Sequence, residues 1–137
     1  MQAKYGSGDF ISKPNEKEKE PSLEDQFLTK VREVIMAHLD DYELDVTKIC
    51  QELGMSRSPL HNKLKALTGK STTEFIRFAR LNKAKELLLS TDLNISEIGY
   101  MTGFQNPNYF TKRFGEVFGM SPSEWRERNF KEKGEGE

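Results

Sequence analysis

The 137 residues hold a single cysteine, Cys50, so no intrachain disulfide can staple the fold. The apolar neighbour Ile49 marks that thiol as a core side chain rather than a reactive one. No stretch approaches the ~20 consecutive apolar residues of a membrane span. Residues 1–10 also lack the apolar centre of a signal peptide, so the expected setting is a reducing cytoplasm, with no membrane contact by this domain. Period-two alternation is missing from every window, which argues against half-buried strands. There is no glycine-rich phosphate loop. The 2 histidines, His38 and His61, fall in different predicted helices, and no set of ligands has metal spacing. An enzyme, a metal centre and a cofactor are therefore not expected. Large excess charge is lacking too, with Lys+Arg 21 against Asp+Glu 22.

That near-neutrality conceals an uneven distribution. Residues 1–44 carry 6 basic and 10 acidic side chains, whereas residues 56–114 carry 10 basic and 4 acidic. A polyanion responds to the local field rather than to the sum, so the basic middle points to such a partner. With 35% hydrophobic and 31% charged residues, the chain has enough to bury for a small core flanked by solvated ends. Residues 1–22 end in a Gly-, Pro- and charge-rich stretch with little to bury, and read as a flexible linker or cloning remnant. Beyond it, Phe27, Val31, Val34, Ile35 and Leu39 recur at spacings of three and four, the stripe of an amphipathic first helix. The tail at residues 131–137 has no apolar side chain and is expected to fray.

Capping signals recur through the rest. Asp45, Asn94 and Ser121 stand at N-cap positions. Asn94 with Glu97, Ser121 with Glu124 and Ser71 with Glu74 form capping boxes. Pro107 and Pro122 follow capping residues, where proline's missing N–H costs nothing. An all-α domain of about seven helices follows.

The chain also matches itself at an offset of about fifty residues. Asp45, Val46 and Thr47 align with Asn94, Ile95 and Ser96; Gly54 aligns with Gly103 and Met55 with Phe104. After a one-residue insertion, Ser56, Leu60, Leu64, Gly69, Ser71, Glu74 and Phe75 align with Asn106, Phe110, Phe114, Gly119, Ser121, Glu124 and Trp125. Each copy has a short helix running into a glycine, a turn, and a second capped helix, which is the helix-turn-helix pattern. The expected layout is a first unit with its connecting helix over residues 23–90 and a second unit over residues 91–130.

In the second helix of copy one, Leu60, Leu64 and Leu67 share the inner face, leaving Ser58, Asn62 and Lys65 outside and His61 on the flank. In copy two, Phe110, Phe114 and Val117 turn inward and Asn108 and Lys112 outward, flanked by Thr111. Amide, ammonium and hydroxyl groups are the chemistry that reads base edges in a major groove. Phe75, Phe104, Phe114 and Trp125 read as core rather than as a base-stacking platform. Between the copies, a helix from Ser71 or Thr72 to about Ser90 would span roughly 28 Å at helical rise. The separation of successive major-groove openings is roughly 34 Å.

The stretches GMSRSPLHNKLKALTGKSTTEFIRFARLNKAKELL and ISEIGYMTGFQNPNYFTKRFGEVFGMSPSEWR resemble the DNA-binding domain of the AraC/XylS family of bacterial transcription regulators. The resemblance implies two helix-turn-helix units joined by a long helix and a function in sequence-specific binding of double-stranded DNA. It implies base-reading positions at Ser58, His61 and Asn62 in the first unit and at Asn108, Thr111 and Lys112 in the second, to which the outward Lys65 is added. Arg57, Lys63, Lys70, Arg77, Arg80, Tyr109 and Arg113 become candidates for phosphate contact, with the backbone N–H groups of Ser71 and Ser121. The charged linker and first helix resemble the entry to an output domain at the C-terminus of a response regulator or of a hybrid two-component sensor, which could itself be membrane-anchored. RNA polymerase and an upstream receiver or sensor domain are the implied protein partners. Two alternatives stand beside this reading: a helical protein-interaction module, and a DNA-binding domain blind to sequence.

Overall fold

The computed structural model describes residues 22–135, and side chains through Phe130. The expected linker lies outside the described residues, apart from Ser22. The described residues form seven helices and no strand: α1 (Leu23–Ala37), α2 (Val46–Leu53), α3 (Arg57–Thr68), α4 (Thr72–Ser90), α5 (Ile95–Met101), α6 (Pro107–Phe118) and α7 (Pro122–Glu135). Among them, no helix is long and apolar enough to cross a membrane.

The described residues divide into two units between Val31 and Arg32. In the first, Ser22 starts α1, its Oγ accepting the Asp25 N–H at 3.1 Å, so this residue belongs to the helix cap rather than to the linker. Phe27 and Val31 are buried on the predicted stripe.

In the second unit, local signals set the helix ends. Asp45 accepts the Lys48 N–H, and Ser71 and Asn94 form reciprocal capping boxes with Glu74 and Glu97. Ser121 and Glu124 exchange the same pair of bonds at 3.1 and 2.9 Å. Gly54 and Gly103 take left-handed backbone at φ 66° and 91°, where a Cβ would be strained. Helix α4 is the axle, packing against α3, α5, α6 and α7. Its first half buries Phe75, Ile76 and Ala79. Leu81, Ala84 and Leu88 from its second half join Ile98, Phe104, Phe110 and Phe114 in one core, with Trp125 and Phe118 partly buried against it. Removing a ring such as Phe110 or Phe114 would cost about 3–5 kcal/mol.

Four expectations need correction. Leu67 and Val117 are exposed, at 36% and 42%. The inward row of α6 instead continues through Phe118, whose ring meets Phe114 at 4.7 Å. Cys50 is half-buried rather than a core thiol, because the inward position of α2 belongs to its neighbour Ile49. Finally, the α7 backbone stays helical to Glu135, past the expected end at Phe130, since Lys131, Glu132 and Lys133 are good helix formers.

Two arginines bind the loops to the helices. Arg126 donates from Nε to the Leu88 carbonyl, from Nη1 to Leu93 and from Nη2 to Thr91, closing the C-terminal end of α4. Arg80 does the equivalent at the middle of α4, donating to the carbonyls of Leu39, Asp41 and Thr102 at 2.6, 2.8 and 2.8 Å.

Candidate nucleic-acid interface

Helix α3 is anchored by Leu60 and Leu64, both fully buried. That anchoring turns Ser58, His61, Asn62 and Lys65 to solvent. Ser56 caps the helix without a side-chain hydrogen bond, so packing rather than capping fixes it. Helix α6 is held more firmly. Asn106 accepts the N–H groups of Asn108 and Tyr109 at 2.7 and 3.1 Å, and Pro107 fills the first turn. Behind them Phe110 lies 5.2 Å from the Phe104 ring and 5.9 Å from Phe114. Gly99 lets α5 approach, because a Cβ there would stand 3.0 Å from the Phe110 ring. Asn108, Thr111 and Lys112 are thereby exposed along α6. All seven predicted base-reading residues lie on the outward faces of these two repeat-related helices.

Helix α4 links the two faces. A cleft of about 500 Å³ is lined by Thr73 and Arg77 of α4, by Asp45 and Val46 at the start of α2, and by Gln105, Asn106 and Tyr109 at the start of α6. A smaller cleft of about 300 Å³ gathers Arg57, Ser58, His61 and Asn62 with Ser71, Thr72 and Thr73. The candidate phosphate residues therefore fall into groups. Arg57 is exposed and donates to Thr47 Oγ1 at 3.1 Å. Lys63 is exposed outside both clefts. Lys70 rests over the Phe78 ring at 4.5 Å. Tyr109 is exposed, with the Arg113 guanidinium 5.1 Å from its ring centre. Arg113 also pairs with Glu116 at 2.7 Å. Hydrogen bonding to Tyr109, with the Glu116 charge nearby, raises the pKa of Arg113 and holds it as a cation.

Three predicted phosphate positions are otherwise engaged. Arg80 is 5% exposed and three of its guanidinium N–H groups are engaged by backbone carbonyls. Burial lowers its pKa against the opposing charges of Asp41 and Asp40. It is a structural clamp. The backbone N–H of Ser71 donates to Glu74 Oε1 and that of Ser121 to Glu124 Oε1, both at 2.9 Å, so the capping boxes already satisfy the groups expected to meet phosphate. The bond to Ser71 holds the Glu74 carboxyl below its ordinary pKa.

Sequence reasoning missed Thr73 and Gln105. Gln105 is exposed in the turn before α6 and occupies the one-residue insertion that separates the two copies, which was the available signal. Thr73 lines both clefts, yet nothing in its sequence context distinguishes it from any exposed threonine.

A family model described as a helix-turn-helix domain matches residues 49–128. Histidine kinase P4 of Formosa agariphila is 39% identical over 107 residues, which make up 78% of this chain and 8% of that protein. The transcriptional activator NphR of a Rhodococcus species is 33% identical over 102 residues, 74% of this chain and 30% of that protein. The chain thus spans under a third of the length of these relatives. Among solved structures, the C-terminal domain of AraT, a response regulator from Geobacillus stearothermophilus, shares 30% identity with a TM-score of 0.68, covering 78% of this chain and 88% of that one. The DNA-binding domain of AdpA, solved in complex with a target DNA, shares 26% identity with a TM-score of 0.65, covering 74% and 90%. With two repeat-related units, an axle helix and paired outward faces, the chain belongs to the AraC-type helix-turn-helix family of DNA-binding domains.

Proposed function

We propose that this chain is the DNA-binding output piece of a transcription regulator in a two-component system, reading duplex DNA through α3 and α6 in major grooves about one helical turn apart. One observation carries the reading: two repeat-equivalent helices each turn short polar side chains outward from a buried apolar anchor. Ser58, His61, Asn62 and Lys65 read one half-site, and Asn108, Thr111 and Lys112 the other. Asparagine pairs bidentately with adenine and lysine donates to guanine. Arg57, Lys63, Lys70, Arg77, Tyr109 and Arg113 position the domain on the backbone, Arg113 by exchanging Glu116 for a phosphate. RNA polymerase and an upstream receiver or sensor domain are the protein partners of this reading, with the bacterial cytoplasm as its setting. The similarity to a response regulator's C-terminal domain and to a histidine kinase supports the two-component assignment. No catalytic step is assigned to the domain.

The test is selection of bound sequences from a random duplex library at near-physiological salt, comparing the chain with its Asn108→Ala and Lys112→Ala variants. The expected result is a motif of two half-sites about a helical turn apart, blurred in one half by each variant at a cost of about 1–3 kcal/mol per base contact. Binding without sequence preference, or a motif untouched by both variants, would refute base reading by α6. No duplex binding at all would favour a protein-docking module.

A further inference from the structure

The two copies differ where the helix after each recognition helix begins. Helix α4 starts Ser71-Thr72-Thr73, whereas α7 starts Ser121-Pro122-Ser123. The capping boxes are the same, but the next residue is not. Pro122 is fully buried and brings neither an N–H nor a hydroxyl. Thr72 brings both, and it is 3% exposed. Its Oγ1 is buried with no hydrogen-bond partner, a state that costs free energy in the unbound protein.

That threonine lines the cleft of about 300 Å³ beside α3. The opposite wall supplies the Arg57 guanidinium, Ser58, His61 and Asn62, and Thr73 adds an exposed hydroxyl. At the start of α4, Ser71 accepts the Glu74 N–H and the Ser71 carbonyl accepts the Phe75 N–H. The N–H groups of Thr72 and Thr73 are then the ones left without an acceptor in the first turn, with the positive end of a 19-residue helix behind them. Glu74, the acidic residue of this turn, is bound to Ser71 and does not line the cleft. Among the described residues Arg57 is held only by the neutral Thr47 hydroxyl, so the donors at this helix start and the Arg57 cation together suit an anionic acceptor.

We propose that this cleft seats one phosphate of the DNA backbone, with the Thr72 and Thr73 N–H groups and Thr72 Oγ1, its buried hydroxyl rotating about the Cα–Cβ bond to meet the anion, as donors and Arg57 as the counter-charge. The seat rests on the DNA-binding reading above and refines it, because the second unit has Pro122 in place of the key threonine and so no equivalent seat. The first unit is then clamped to the backbone beside its reading face, while the second relies on α6 itself. Such a contact sets how deeply α3 enters its groove and is indifferent to base sequence.

The experiment compares the whole chain with Thr72→Val and Thr72→Ser on the best duplex from the library selection, with neutral methylphosphonates replacing single phosphates in turn. Thr72→Val should weaken duplex binding by about ten-fold, the size of one hydrogen bond to a charged acceptor. The same variant should melt no lower than the parent, since it deletes an unpartnered hydroxyl. The parent should lose affinity when one particular phosphate is neutralised. Thr72→Val should be insensitive at that phosphate alone, and Thr72→Ser should restore the sensitivity. A Thr72→Val protein with parental affinity, or one that binds weakly with an unchanged phosphate profile, overturns the seat and leaves the DNA-binding reading standing. A parent that binds no duplex overturns both.

Discussion

Replacing Arg80 by methionine separates a structural cation from a DNA-contacting one. The side chain sits mid-helix in α4 with three charge-assisted hydrogen bonds to the carbonyls of Leu39, Asp41 and Thr102. Bonds of that kind contribute roughly 1.5–3 kcal/mol each. Against that stands the desolvation of the guanidinium, several kcal/mol for a buried ion, which the methionine side chain does not incur. The Thr102 carbonyl is left buried without its donor, while those of Leu39 and Asp41 regain some water. The net loss for Arg80→Met is about 3 kcal/mol, or a fall in melting temperature of roughly 10–15 °C for a fold of this size. Thermal and urea unfolding measure it. Duplex binding, followed against salt at a temperature where both proteins are folded, should keep the parental affinity and slope. By contrast, Arg77→Ala should reduce affinity and salt dependence while leaving stability nearly unchanged, because Arg77 lines the same cleft from a half-exposed position whereas Arg80 is buried. If Arg80→Met melts like the parent but lowers the salt slope by about one, Arg80 touches a phosphate and the clamp assignment is wrong.

Gly103→Ala should be far more damaging than Gly54→Ala. A Cβ at Gly103 would fall within the Arg80 guanidinium and 2.5 Å from the Leu39 carbonyl oxygen, whereas one at Gly54 meets nothing within 4 Å. Gly54→Ala is therefore expected to cost only the ~1–2 kcal/mol of left-handed backbone; comparable losses in urea unfolding would refute the clamp geometry. The first-turn capping box of α4 predicts a pH effect. Glu74 titrates below its ordinary value in the folded chain, so its stabilisation is complete above the normal carboxylate range and fades as pH falls through the lowered pKa. The melting-temperature gap between the parent and Glu74→Gln should narrow as pH falls below the ordinary glutamate value of about 4.3 and vanish once the lowered pKa is passed, and a gap constant down to strongly acid pH would contradict it. Asn106→Ala removes the oxygen that caps α6 and should cost about 1 kcal/mol, measured by urea unfolding, with a matching loss of duplex affinity as Asn108 and Tyr109 lose their fixed backbone.

How much was legible in the sequence depended on whether a residue's local neighbours determine its role. Caps do: Asp45, Ser71, Asn94 and Ser121 act within three residues of themselves, and all four stand as expected. The repeat was legible for the same reason, since it is a repetition of caps and turns. Facing is harder, because spacings of three and four are equally compatible with one stripe. Leu67 and Val117 follow Leu64 and Phe114 by three, but the core beside α6 is reached by the four-step row of Phe110, Phe114 and Phe118. Arg80 shows what a charge count misses. A basic residue in a basic helix reads as a phosphate contact until its row is considered: Ile76 and Ala84, four residues to either side, are both buried, so position 80 faces inward and the cation must find acceptors there. Those acceptors come from Leu39, Asp41 and Thr102, as many as 41 residues away, and no periodicity encodes them. Gly103 carries the same lesson from the other side. Its place in the turn explains a left-handed φ, but only the folded chain reveals that its missing side chain is also the space the Arg80 guanidinium occupies. The outward faces of α3 and α6 were readable because exposure follows from the buried anchors on the same helix. Thr72 was not, because its hydroxyl acquires meaning from what α3 places across the cleft.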